Sequence, residues 1–380
     1  MLGNSGRGKS TLMVRWVLQL LDRNCTVVVV DPHTVLAQDV LERIPREHVE
    51  RVVWFGMTKK YVPLYNPFQA PLDIADKLAD DLTGAFKDLV EDTAWGYRTE
   101  ILVRMVFLGL IVCGLSLRQA PILLEKNARG ERMRQWIVER VPNVEARRFW
   151  TNDFKHFKPD FLLAPLNKLS RVLVMHGLGH LLSNRRGALD FAKLIDENRI
   201  IIVDLGTELT ENGSNILGSL LIANLQRAIL NPARLYRPHS EIHIFIDEAT
   251  RFRGAPIERL AVQGRKFGCS QVLAAQHTKQ LSSFSSIDVI GSAQSLICFQ
   301  VGWEDALRVS HELRNEMRPE DLMSLQRGQT YARIGTSVCS METLPLDKPQ
   351  DRFAGLIISN CRKRYYRRVD SMEIRELPEE

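Results

Sequence analysis

Nothing in the sequence stays apolar long enough to cross a bilayer. The most hydrophobic stretch, Met105 to Leu117, is thirteen residues long and is closed by Arg104 and Arg118, whereas a transmembrane helix needs roughly 20. That stretch is predicted to be a buried core helix. Cysteine is also sparse. Cys25, Cys113, Cys269, Cys298, Cys339 and Cys361 lie far apart with no C-x-x-C pair, which speaks against a disulfide framework and for reduced thiols in a cytosolic protein. No signal peptide, internal repeat or low-complexity segment stands out, so a secreted or repetitive chain is not expected.

What is present reads as an ordinary globular protein: 45% of the residues are hydrophobic and 25% charged. At 380 residues the chain exceeds one compact core, and a large α/β domain carrying a sizeable insertion is expected. The formal net charge of +6 suits a polyanionic partner without identifying one.

The most informative motif lies at the start. Gly3-Asn4-Ser5-Gly6-Arg7-Gly8-Lys9-Ser10 fits G-x-x-x-x-G-K-[ST], followed by Thr11 and an apolar run suited to a helix. Such a loop wraps nucleotide phosphates in backbone N–H groups and opens onto a helix N-terminus, where anions are favoured. A phosphate loop normally hangs from a buried strand, and here Met1 and Leu2 alone precede it. A fragment, a misplaced start or a degenerate copy is therefore weighed.

Farther along, Thr26 to Asp31 is a continuous β-branched run, which marks a strand buried on both faces of a parallel sheet. Val52 to Phe55, Ile200 to Leu205, Ile242 to Ile246, Gln271 to Ala275 and Ser295 to Val301 are further strand candidates. Between the second and third of these, Ile74, Leu78, Leu82, Phe86 and Leu89 recur at helical spacing. Trp136, Ile137 and Val141 mark another stripe. Residues 214–230 read as a helix. The expected fold is thus α/β with a mainly parallel, doubly wound sheet. Residues 1–69 and 197–345 form its core, 70–196 an inserted all-α domain, and 346–380 a basic C-terminal tail.

The strand Ile242 to Ile246 ends in Asp247-Glu248. Nucleotide hydrolysis needs one carboxylate near Mg²⁺ and a neighbouring group to activate water. Asp247 and Ser10 are assigned to the metal, Glu248 to the general base, and Lys9 to the β- and γ-phosphates. The N–H groups from Gly6 to Thr11 hold the remaining phosphate oxygens. Gln276, at the tip of the next strand, either senses the γ-phosphate or aligns the water, or it simply caps a loop. Arg265 is either a surface arginine or a finger that reaches a neighbouring subunit's nucleotide.

Taken together, the phosphate loop, Asp31-Pro32-His33, Trp95-Gly96-Tyr97-Arg98-Thr99-Glu100, Asp247-Glu248, Arg265-Lys266-Phe267-Gly268 with Gln276, and Gly302-Trp303-Glu304-Asp305-Ala306 resemble the HerA/FtsK superfamily. Within it they look closest to the TraG/TraD-type coupling proteins of conjugation and type IV secretion. The resemblance implies a RecA-like P-loop ATPase that uses ATP and Mg²⁺. It also implies a hexameric ring with nucleotide between subunits, Arg265 acting in trans, and DNA threaded through the centre. Coupling proteins usually carry membrane helices ahead of the ATPase domain. A cytoplasmic location follows, peripheral to the inner membrane if an anchor lies upstream, with membrane or secretion-channel partners. An unfolded protein as cargo, or a non-hydrolysing scaffold, are the rival functions.

Weaker signals complete the reading. Arg362-Lys363-Arg364-Tyr365-Tyr366-Arg367-Arg368 suits phosphate contact with ring stacking, or a solvated tail. Arg251, Arg253 and Arg259 are candidates for a pore lining or plain loop charges. His176-Gly177-Leu178-Gly179-His180 has two histidines four apart, but glycines and the lack of a nearby carboxylate argue against a metal site. No metal cluster is expected.

Overall fold

The computed structural model describes residues 1–89, 95–236, 240–252, 255–284, 289–349 and 352–369. Arg253, one of the arginines weighed above for a pore lining, lies outside the described residues. The chain divides into two compact units. An α/β unit comprises Met1–Gly56, Phe191–Thr207 and Ala228–Cys361, and a second unit comprises Met57–Asp190, Glu208–Arg227 and Arg362–Glu380.

The strands in chain order are β1 (Thr26–Asp31), β2 (Val52–Gly56), β3 (Tyr61–Pro63), β4 (Ile200–Asp204), β5 (Ile242–Ile246), β6 (Cys269–Leu273), β7 (Ser295–Cys298), β8 (Gln329–Ile334), β9 (Ser337–Glu342) and β10 (Tyr366–Arg368). In the α/β unit a five-stranded sheet runs β2-β4-β1-β5-β6 with every pairing parallel. All residues of β1, β2 and β4 are buried, as β-branched runs covered on both faces require. A second sheet, β7-β8-β9, is antiparallel.

Met1 and Leu2 lie between these sheets. Leu2 forms parallel bridges to Ala275 on one side and Cys298 on the other. Its N–H donates to the Ile297 carbonyl at 2.8 Å, and its own carbonyl accepts from the Phe299 N–H at 2.9 Å. The two residues thus fill the position of the strand that a phosphate loop hangs from. This corrects the expectation that the loop lacks support, because the flanking strands supply the pairing that two residues cannot supply for themselves. Leu2 is 1% exposed and packs with Ala275, Leu296, Cys298 and Val301.

The second unit is mainly helical, with β3 and β10 paired antiparallel. The apolar stretch found in the sequence lies largely in the helix Tyr97–Val112 and the turn after it, and the helix is buried along most of its second half. Phe107 contacts Phe68 and Phe86 at ring-centroid distances of 5.0 and 5.6 Å. Asn66 ties the unit's segments together: its amide donates to the Leu115 and Arg185 carbonyls at 2.9 and 2.8 Å. Residues 354–365, read from the sequence as part of a basic tail, form a helix, and residues 366–368 form β10. Arg362 stacks over the Tyr61 ring at 4.9 Å rather than pointing into solvent. Among the described residues, no helix is long and apolar enough to cross a membrane. The six cysteines are unpaired, and all but Cys339 are buried.

Candidate nucleotide site

The phosphate loop leads from Leu2 into helix α1 (Lys9–Leu20), with Gly8 at its N-cap. The first N–H groups of a helix have no partner within it and are free to meet an anion. Two glycines in the loop are dictated by their surroundings. Gly3 and Gly8 have φ of +153° and +118°, and a Cβ on Gly3 would come within 2.6 Å of the Phe299 Cβ. Phe299 is fully buried beneath the loop, which is pinned further by Asn4 N–H to the Gln300 carbonyl and Gly328 N–H to the Arg7 carbonyl, both at 2.9 Å. Gly3→Ala is therefore expected to destabilise the protein by about 1–3 kcal/mol and to weaken nucleotide binding with it. Gly84→Ala, on an open face with nothing within 4 Å, should leave the thermal midpoint unchanged or raise it. Equal midpoints for the two variants would refute the role given to Phe299.

The functional side chains stand at the carboxyl ends of parallel strands, where the crevice of an open α/β sheet forms. Asp247 follows β5, and its Oδ2 accepts from Ser10 Oγ at 3.3 Å. Lys9 is 7% exposed, and its ammonium donates to the carbonyls of Gly3 at 2.6 Å and Asn4 at 3.0 Å. Burial lowers the lysine's pKa, while Asp247 and Glu248 pull the other way. For Asp247, burial raises the pKa against the Glu248 N–H, Lys9 and the Ser10 hydroxyl.

Glu248 adopts a left-handed backbone, φ 42°, an uncommon and costly conformation for a residue with a side chain. Its Oε1 accepts from Gln276 Nε2 at 2.7 Å, and its Oε2 lies 2.7 Å from His33 Nε2 and 3.7 Å from Arg251 Nη1. Burial works against its ionisation, but the His33 and Gln276 hydrogen bonds and the charges of His33 and Arg251 outweigh it and hold the carboxyl below its usual range. A His33 Nε2 that donates to Glu248 cannot also accept from Arg251 Nη1, 3.0 Å away. Arg251 contributes there as a charge.

Sequence reasoning missed this use of His33, which it had noted as one letter of the Asp31-Pro32-His33 motif. It also missed a row of buried acids. Asp31 and Asp204 are register partners at the ends of β1 and β4. Asp31 accepts from the N–H groups of His33 and Ala37, at 2.7 and 2.9 Å, and Asp204 accepts from Thr34 Oγ1 at 2.7 Å. The signal available was the acid that ends each apolar strand.

Burial pushes Asp31 up to about 6 from an ordinary 3.8, with Asp247 and Asp204 adding like charge against the two N–H bonds. Because the folded value lies above the unfolded one, the stability Asp31 confers is whole below pH 3.8 and is lost as pH rises through about 6. The loss amounts to about 3 kcal/mol. Asp31→Asn should abolish that part of the slope in urea unfolding measured across this window. An unaltered slope would place the titration elsewhere.

Other predicted residues take different places. Arg265 lies in the short helix Gly264–Phe267, exposed and before β6. It is thus at the opposite end of the sheet from Glu248 and Gln276, about 15 Å away for a five-residue strand, and the chain does not bring it into its own site. Asp305, from the Gly302–Ala306 motif, accepts from the Thr278 N–H at 2.8 Å, from Thr278 Oγ1 at 2.6 Å and from His277 Nδ1 at 3.0 Å. It fixes the loop that carries Gln276. In the second unit, Trp95 Nε1 and Lys87 Nζ both donate to Glu100 Oε2, at 3.3 and 2.8 Å, which ties the two ends of that motif together.

The class is now defined: the architecture is that of a RecA-like P-loop NTPase. Its structural neighbours make this more particular. The chain is similar to the bacterial conjugative coupling protein TrwBdeltaN70 in an unbound form, with a TM-score of 0.70 and 16% identity over 93% of this chain and 85% of that one. It is similar to plasmid coupling protein TrwB in complex with ADP and Mg²⁺, with a TM-score of 0.66, 16% identity and coverage of 93% and 86%. VirB4 of Thermoanaerobacter pseudethanolicus matches with a TM-score of 0.60 at 15% identity, covering 92% and 89%. The resemblance to the HerA/FtsK-type ATPases thus holds at the level of the fold. No family model matches the sequence, and no curated protein does.

Proposed function

We propose that this chain is a Mg²⁺-dependent ATPase that assembles as a ring and couples hydrolysis to the movement of DNA. The observation that carries the ATPase reading is the convergence of four groups. Lys9 and Ser10 of the loop face Asp247, and Glu248 beside it is ionised and held by Gln276. Ser10 Oγ and Asp247 Oδ2, 3.3 Å apart, offer the oxygen donors that Mg²⁺ prefers. When bound, the ion would supply positive charge to the phosphate oxygens. Lys9 would exchange its loop carbonyls for phosphate oxygens, the loop N–H groups would hold the remainder, and Glu248 would accept the proton of the attacking water. Gln276, hydrogen-bonded to Glu248, would report phosphate release to its own loop through Thr278 and Asp305.

The ring is supported by the position of Arg265. Standing away from its own chain's site, it can serve hydrolysis from a neighbouring subunit, where an arginine finger is worth about 10³–10⁵ in rate. Arg265→Ala and Glu248→Gln proteins should each be inactive alone and regain ATPase activity when mixed. A mixture without activity would remove Arg265 from the mechanism.

DNA as cargo is supported by the net charge of +6 and the likeness to coupling proteins. ATPase activity should rise with added DNA, and the DNA affinity should drop by several orders of magnitude between about 50 and 200 mM salt as counterions are released. A rate indifferent to DNA at low salt but raised by an unfolded polypeptide would reassign the cargo.

A further inference from the structure

The helical unit contains a pocket of about 560 Å³ lined by Leu64, the end of the helix Pro159–Val174, the His176–His180 turn, residues 183–186 and the C-terminal strand. Four arginines converge on it: Arg118, Arg185, Arg186 and Arg367. His176 and His180, left without a role by the sequence reading, stand at its exposed margin. Among the described residues no aspartate or glutamate lines it, and at the margin Glu208 Oε2 lies 3.9 Å from His176 Nε2.

Several partly buried arginines of this chain are paired with acids. Arg104 pairs with Asp76 and Asp80, Arg199 with Glu197, and Arg234 with Asp196. Among the described residues, the four pocket arginines have no such partner. The Nε–H groups of Arg185 and Arg367 are buried and donate to no partner in the protein. Keeping partly buried guanidinium groups together costs desolvation and mutual repulsion, and an anion offsets both.

A second observation concerns Asn184, which is 1% exposed and lines the same pocket. Its amide nitrogen donates to the Pro63 and Leu181 carbonyls at 3.1 and 2.8 Å, which fixes the side chain, while its Oδ1 has no partner. Pocket arginines seek an anion, and this oxygen seeks a donor. Leu64, Leu173 and Val369 add an apolar wall.

We propose that this pocket binds a phosphate ester of nucleotide size. The phosphate lies against the guanidinium forks of Arg185 and Arg367, whose planar geometry matches its oxygens. The organic part rests on Leu64 and Val369 and donates a hydrogen bond to Asn184 Oδ1. The ligand is a nucleoside monophosphate, free or as the 5′-phosphorylated end of a strand. The site is built entirely from the helical unit and does not depend on the phosphate loop.

Equilibrium binding to the full chain tests this with three probes: inorganic phosphate, a deoxynucleoside 5′-monophosphate, and a labelled 5′-phosphorylated dinucleotide. Both esters should bind about tenfold or more tightly than inorganic phosphate, and the double change Arg185→Gln with Arg367→Gln should weaken them by about tenfold to a hundredfold. Arg186→Glu, at an exposed position on the pocket wall, reverses a charge without burying one and should weaken binding in a protein that folds normally. Tighter binding of the dinucleotide than of the monophosphate assigns the site to strand ends, and the reverse order assigns it to free nucleotide. Equal binding of inorganic phosphate and the esters, or ester binding that neither set of substitutions alters, would overturn the proposal.

Discussion

Glu248→Gln is expected to reduce ATP turnover by about 10²–10⁴-fold, the usual worth of a positioned general base, while ATP binding changes little. The substitution keeps shape and volume and removes the ability to take a proton. Glu248 suits the task because the hydrogen bonds from His33 and Gln276, 2.7 Å each, hold it ionised despite burial. Its folded pKa is depressed, so the stability it confers is present above its unfolded value and is lost only as pH falls through the lower folded one. The rival base is Asp31, whose value near 6 is better matched to proton transfer at neutral pH. Access decides against it. Asp31 is fully buried, and its two oxygens are taken by the N–H groups of His33 and Ala37. Both oxygens of Glu248 are also engaged, at 2.7 Å each, so one contact must be released before it can receive a proton. Turnover in Glu248→Gln above a tenth of the original, with ATP binding intact, would reject the assignment.

How far the site was legible from the residues follows from how each contact is encoded. The phosphate loop is a local pattern, and Asp247-Glu248 ends an apolar strand, so both could be read from spacing. The buried strands were equally plain, because runs such as Thr26–Asp31 have few other uses. Contacts between distant segments had no such signature. His33 and Glu248 are 215 positions apart, and nothing in either neighbourhood names the other. The strand role of Met1 and Leu2 was hidden because two residues carry no periodicity, and the pairing comes from Leu273, Ala275 and Ile297. The same contact explains why β6 was expected at Gln271–Ala275 and is found at Cys269–Leu273. Ala275 hands its N–H to the Met1 carbonyl instead of continuing the ladder with β5. β9 was missed because most of its residues are exposed on both faces, leaving no alternation to detect. The strand β10 sits among basic residues whose sequence reads as a solvated tail.

Lys9→Met should lower ATP affinity by about a hundredfold or more, the cost of losing a buried charge-assisted contact to phosphate, without destabilising the nucleotide-free protein. The two expectations come from one observation. Lys9 is 7% exposed, and in this structure its ammonium satisfies itself on the Gly3 and Asn4 carbonyls at 2.6 and 3.0 Å. Burial opposes its charge, and Asp247 and Glu248 support it only in part, so its pKa is lowered. Such a group is maintained for a ligand rather than for the fold, and a methionine of similar length removes the desolvation cost while filling the space. The thermal midpoint of the nucleotide-free variant should therefore equal or exceed that of the parent, and the midpoint rise that Mg-ATP confers should vanish, because stabilisation by a ligand follows its affinity. A fall in the nucleotide-free midpoint equivalent to several kcal/mol would mean that Lys9 holds the loop together. The bonds from Asn4 to Gln300 and from Gly328 to Arg7, with Phe299 packed beneath, make that outcome unexpected, since the loop keeps its anchors whichever side chain stands at position 9.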